Sequence, residues 1–137
     1  MLNNKNDVLP LHPDLKEAAI LNVGKPEEIE PFDRKMKKYT SFARFQLRKD
    51  LPEAEQQKLR DSLAAYRRVI VTVTEQRLAP YQSFFAKFAP ESPVIYVFYT
   101  PAKSMLQIQR AVSAAEAVVL AHASRDDVQE RVADLLF

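Results

Sequence analysis

A single glycine, Gly24, serves all 137 residues, and cysteine is absent altogether. Loops that cradle phosphate bring backbone close to the ligand, often at positive φ, and rely on glycine to do so. A Walker loop needs two glycines before its lysine and a dinucleotide fingerprint needs three, so the chain can build neither. A serine nucleophile elbow, with its flanking glycines, is equally out of reach. Without cysteine there are no disulfides, no thiol nucleophile and no thiolate-based zinc or iron–sulfur site. Long apolar runs are missing as well: no stretch approaches the roughly 18 residues of a membrane span, and Met1 to Val8 lacks a basic start followed by an apolar segment. These absences point away from membrane and secretion and toward the cytoplasm.

What remains is an ordinary folding composition, 47% apolar and 28% charged, at a length that suits one domain with one core. The net charge of +2 is unevenly spread. Counting Lys and Arg against Asp and Glu, residues 1–32 carry −3, residues 33–68 carry +6 and residues 69–137 carry −1. A local basic excess of this size admits nucleic acid as a partner without demanding it.

Residues 1–38 differ from the rest, with Pro10, Pro13, Pro26, Pro31 and the lone glycine but little periodicity. They read as an N-terminal arm with short helices, one over Asp14 to Leu21, where Leu15, Ala18 and Ala19 share helical spacing, and one after Pro31 with Phe32 and Met36 on its inner face. Residues 39–137 read as a single α/β domain. Tyr39 to Leu47 alternates like an edge strand, and Pro52 opens a helix to about Arg67 with Leu59, Leu63 and Tyr66 on its stripe.

Three apolar, mostly β-branched or aromatic runs follow: Val69 to Val73, Val94 to Phe98 and Val118 to Ala121. Each precedes an amphipathic segment, with stripes Leu78, Tyr81, Phe85 and Phe88, then Met105, Ile108, Val112 and Ala115, then Val128, Val132, Leu135 and Leu136. Continuous apolar strands imply burial on both faces. The expected fold is therefore three-layer α/β, a mostly parallel sheet of about four strands with helices on both faces. Tyr39 to Val73 alone also fits a ferredoxin-like β-α-β unit, but an antiparallel sheet with one open face would not need such unbroken apolar strands.

In open parallel sheets ligands bind beyond the carboxyl ends of the strands. Residues expected at that edge are Glu75 and Arg77 after the second strand, Thr100 and Lys103 after the third, and His122, Ser124 and Arg125 after the fourth. Arg77, Lys103 and Arg125, with the hydroxyls of Thr100 and Ser124, form a candidate set for a small anionic ligand, and His122 with Glu75 a candidate acid–base pair. The same residues read structurally as helix caps and solvated charges: Thr100 precedes Pro101, and Ser124 precedes Asp127 by three. No cofactor motif is present. His12 and His122 make no metal spacing, and the adjacent carboxylates Glu27-Glu28 and Asp126-Asp127 diverge rather than converge on an ion.

A second candidate surface is the outward face of the first strand, Phe42, Arg44, Gln46 and Arg48, where aromatic and cation interleave as on a single-stranded nucleic-acid platform or a partner-binding strand. Charges there also protect an edge strand, and an arm packed across it would bury Phe42 against Phe32 or Met36. The expectation drawn from all this is a non-catalytic cytoplasmic module that engages a protein partner or a second copy of itself. Its alternatives are an enzyme or sensor for a phosphorylated or carboxylate ligand at the carboxyl edge, and a nucleic-acid binder using the basic region Asp33 to Arg68.

Overall fold

The β-branched runs become the middle of one sheet. A computed structural model describes residues 3–4, 18–37, 42–88, 93–100, 102–121 and 126–136. In chain order the elements are β1 (Asn3–Asn4), β2 (Ala18–Val23), α1 (Glu30–Met36), β3 (Phe42–Leu47), α2 (Glu53–Ala64), β4 (Arg68–Val73), α3 (Gln82–Ala86), β5 (Val94–Phe98), α4 (Gln109–Ser113), β6 (Ala117–Leu120) and α5 (Asp126–Leu136). The sheet runs β1-β6-β5-β4-β2-β3. Its five long strands are all parallel, and only the two-residue β1 pairs antiparallel, with Asn3 opposite Val118. Every strand therefore needs a crossover, and the short helices supply them.

The fold is the expected three-layer α/β architecture, with five parallel strands rather than four. The extra strand is β2. Ala18 to Leu21, expected as the end of a helix, is instead strand, paired with β3 on one side and β4 on the other in the register Ala18 to Phe42 and Ala18 to Arg68. The physical reason is that all six residues of β2 are buried, so there is no polar face for an amphipathic helix to offer solvent. Burial between two strands overrides the helical preference of its alanines. Residues 18–37 thus belong to the sheet and its covering layer. Asp14 to Glu17 and the apolar residues Val8, Leu9, Leu11 and Leu15 lie outside the described residues.

Helices cover both faces, and side-chain alternation divides the core accordingly. Val69, Val71 and Val73 of β4 with Tyr96 and Phe98 of β5 pack with Leu63 of α2, Phe84 and Phe85 of α3, Phe88 and Val112 of α4. On the opposite face Ile70, Ile95, Val97 and Tyr99 pack with Phe32 and Met36 of α1 and Val132 and Ala133 of α5. Each fully buried side chain of this size contributes roughly 1.5–3 kcal/mol by leaving water. Among the described residues no helix is long and apolar enough to cross a membrane.

Two buried polar side chains tie neighbouring helices together within each covering layer. Gln129 of α5, 1% exposed, accepts a hydrogen bond from the Phe32 N–H at 3.0 Å and donates to the Glu28 carbonyl at 2.6 Å, satisfying the start of α1 from the neighbouring helix. Arg60 of α2 lies over the Phe84 ring and donates to Glu53 at 2.8 Å and to the Phe84 carbonyl at 3.3 Å, joining α2 to α3.

Candidate functional site

Numbered along the chain, the parallel strands stand in the order 2-1-3-4-5, that of flavodoxin-like doubly wound sheets. The chain winds outward from β2 to β3, returns past β2 to β4, and continues through β5 to β6. The reversal falls between β2 and β4. There the β2–α1 connection leaves toward one face and the β4–α3 connection toward the other, which opens a crevice beyond the carboxyl ends of the two strands.

Gly24 stands at this point with φ of 131°. A Cβ added there would lie 2.1 Å from Thr74 Oγ1 and 3.2 Å from the Glu75 nitrogen, so the two strand ends approach one another only because this residue has no side chain. Thr74 and Glu75 both donate their backbone N–H to the Val23 carbonyl, at 3.0 and 3.3 Å. Below them lies a polar tie across three strands. Asn22, fully buried in β2, accepts from the Thr72 hydroxyl of β4 at 3.0 Å and donates to Gln46 Oε1 of β3 at 3.1 Å. Its amide also reaches the Gly24 and Lys25 carbonyls at 3.4 Å, and the Gln46 amide donates to the Gly24 carbonyl. A polar network this deep in a sheet holds its members in one arrangement when all are bonded.

The crevice has a volume of about 380 Å3 and is lined by Gly24 and Lys25 after β2, Gln46 to Asp50 from β3 and its loop, and Glu75 and Tyr81 after β4. Lys25, Arg48 and Lys49 are exposed on its lip, with Asp50 beside them. Tyr81 is 6% exposed, and burial first, then the Glu75 and Asp50 carboxylates, raise its phenol above the ordinary tyrosine range. Glu75 Oε1 accepts the Arg77 N–H at 3.1 Å, which fixes the carboxylate. The loop carrying both is held from outside: Gln107, between β5 and α4, accepts from the Leu78 N–H at 2.8 Å and donates to the Gln76 carbonyl at 3.0 Å.

Of the residues singled out from the sequence, Glu75, Gln46 and Arg48 meet in this crevice. Arg77 and Lys103 are exposed along the same edge without lining it. Thr100 is buried, and among the described residues its hydroxyl has no hydrogen-bond partner. His122, Ser124 and Arg125 lie outside the described residues. β3 is an edge strand, as its alternation implies, and several side chains of its Phe42 to Arg48 face are engaged within the fold. Phe42 is half-buried against the cluster containing Phe32 and Met36, Arg44 is bonded to Asp33, and Gln46 is turned into the strand ends. The basic tract before it is also partly spent, with Arg34 3.5 Å from Glu30 and Lys35 3.6 Å from Asp134. Lys25, Lys49, Asp50 and Tyr81 were not among the candidates. The signal for them was an apolar run closed by the chain's one glycine, a strand followed by a tight turn.

No protein-family model matches the chain, and no curated protein matches its sequence. Among solved structures, the chain is similar to a fungal multi-domain β-N-acetylglucosaminidase described as containing a GCN5-related glucosamine N-acetyltransferase region, with a TM-score of 0.79 and 13% identity. The match covers 99% of this chain and 16% of that one. At that identity the likeness shows the fold alone.

Proposed function

We propose that the chain is a ligand-binding α/β domain that takes a small anionic molecule, carrying a phosphate or carboxylate, in the crevice between the ends of β2, β3 and β4. The observation that carries this reading is a cavity of about 380 Å3 at the strand reversal with three cations, Lys25, Arg48 and Lys49, around its opening. Such a volume falls within the range of small-molecule pockets. Glycine-rich cradling is absent, so the anion is held by side-chain cations rather than by a ring of backbone N–H groups.

The test is titration of the chain with inorganic phosphate and with acetate, followed by amide chemical shifts. The reading expects saturable shifts at Gly24, Lys25, Arg48, Lys49 and Glu75 that vanish in Arg48→Glu. Shifts confined to Thr100 and Lys103, or none, would overturn it. A second reading, association with a protein partner or another copy, draws on Leu106, which is 61% exposed beside a groove of about 300 Å3 between α3 and α4. Sedimentation of wild type and Leu106→Asp over a range of concentrations tests it: a mass that falls only in the variant supports association.

A further inference from the structure

The crevice has two chemically different walls, and they constrain the body of the ligand as well as its charged end. Cations stand on the β2 and β3 connections, at Lys25, Arg48 and Lys49. On the β4 side stand the Glu75 carboxylate and the Tyr81 phenol, and Asp50, next to Lys49 on the β3 connection, adds a second carboxylate to the lining. Glu75 spends one oxygen on the Arg77 N–H, which leaves the other for a ligand. A cavity of about 380 Å3 has room for on the order of ten waters, far more than a bare phosphate fills.

An anion placed against Glu75 and Asp50 would be repelled, so the charged group belongs at the lip and something else must meet the carboxylates. An apolar body would cover the second Glu75 oxygen and offer it no partner. An ammonium would satisfy the carboxylates but would stand among three lysine and arginine charges. Hydroxyl groups donate to the carboxylates, accept from the phenol and add no charge, while ring C–H groups pack on the Tyr81 face.

Resting on the reading of the crevice as an anion site, we propose that its ligand is a phosphorylated sugar or polyol, with the phosphate on Lys25, Arg48 and Lys49 and the hydroxyls on Glu75, Asp50 and Tyr81. The carboxylates then act as specificity residues: they contribute nothing to phosphate binding and select the hydroxylated body.

Calorimetric titration of the full chain with inorganic phosphate, glucose 6-phosphate, glucose and phosphoethanolamine tests this. Glucose 6-phosphate is expected to bind at least about tenfold more tightly than inorganic phosphate, consistent with one or two added charge-assisted hydrogen bonds. Glu75→Gln with Asp50→Asn should bring glucose 6-phosphate down to the affinity of inorganic phosphate, while inorganic phosphate binds as well as before or better. Glucose 6-phosphate no tighter than inorganic phosphate, or phosphoethanolamine binding equally tightly, would overturn the hydroxyl assignment and leave the anion site standing. Failure of inorganic phosphate itself to bind, with wild type and Arg48→Glu alike, would remove the anion site and the assignment with it.

Discussion

Gly24→Ala should be among the most costly single-methyl additions available to this chain, although the residue lies at a half-exposed loop position. Two effects add. At φ of 131° an L-residue occupies backbone space that only glycine enters freely, a strain of about 1–3 kcal/mol. The new Cβ would also meet Thr74 Oγ1 at 2.1 Å, well inside contact, and relief by moving β2 away from β4 would break the Val23 carbonyl's bonds to Thr74 and Glu75. Overpacking of this kind costs a further 1–3 kcal/mol or so, giving about 2–6 kcal/mol in all. Urea unfolding followed by far-ultraviolet circular dichroism measures it. Thr74→Ala apportions the two effects, because it removes the hydroxyl while leaving the backbone strain. In a double-mutant cycle Gly24→Ala should therefore cost at least about 1 kcal/mol less in the Thr74→Ala background. An unchanged midpoint in Gly24→Ala would refute the close approach of the two strand ends, and with it the geometry of the crevice. A cost that is the same in both backgrounds would assign the whole effect to φ.

Arg44→Ala strands a carboxylate on Asp33 that is 6% exposed, and a loss of about 3–5 kcal/mol is expected at neutral pH. Burial already raises the Asp33 pKa, so the folded chain holds this proton more tightly than the unfolded one, and the loss should grow as pH rises from about 4 to 7. Denaturation at the two ends of that window checks the sign, and Asp33→Asn added to Arg44→Ala should flatten the dependence. Tyr81, Tyr96 and Tyr99 are all raised by burial, so above pH about 10 the unfolded chain ionises phenols that the folded chain keeps neutral, and stability should fall with further rise in pH. Tyr99 is the most informative of the three, because among the described residues its buried hydroxyl has no hydrogen-bond partner: Tyr99→Phe should be neutral or stabilising by up to about 1 kcal/mol and should reduce the alkaline slope. Gln129→Leu deprives the Phe32 N–H and the Glu28 carbonyl together, and about 2–4 kcal/mol is expected to be lost, read by thermal or urea unfolding.

The parts of the fold that could be read from the residues are those where one physical effect dominates. β4 and β5 are buried on both faces, so apolar content alone marks them, and Val94 to Phe98 is a strand over its whole expected length. The stripe Leu78, Tyr81, Phe85 and Phe88 is buried as its spacing requires, and of the second stripe Ile108, Val112 and Ala115 are buried while Met105 is partly so. β2 escaped because two effects compete there. Alanines at helical spacing mimic a helix, and only the absence of any polar position across Ala18 to Leu21 argues otherwise. The sheet position that settles the competition depends on partners 24 and 50 residues away, Phe42 and Arg68, which no local pattern contains.

The crevice was hidden for the same reason. With β2 read as helix, the strand reversal falls away from Gly24 and the carboxyl edge reduces to the ends of β4, β5 and β6, where Arg77, Thr100 and Lys103 stand. Once β2 is a strand, three otherwise unrelated features converge at its end. The one residue that tolerates the close approach is there, Asn22 ties it to Thr72 and Gln46, and the nearest exposed cations, Lys25, Arg48 and Lys49, come from the two connections beside it. A buried asparagine in a central strand gains nothing from the hydrophobic effect and is kept in place only by what it bonds. Its amide reaches Gly24, Lys25 and Gln46, which line the crevice, while its carbonyl is tied to Thr72 beneath, so these polar contacts gather at the place where topology opens the sheet.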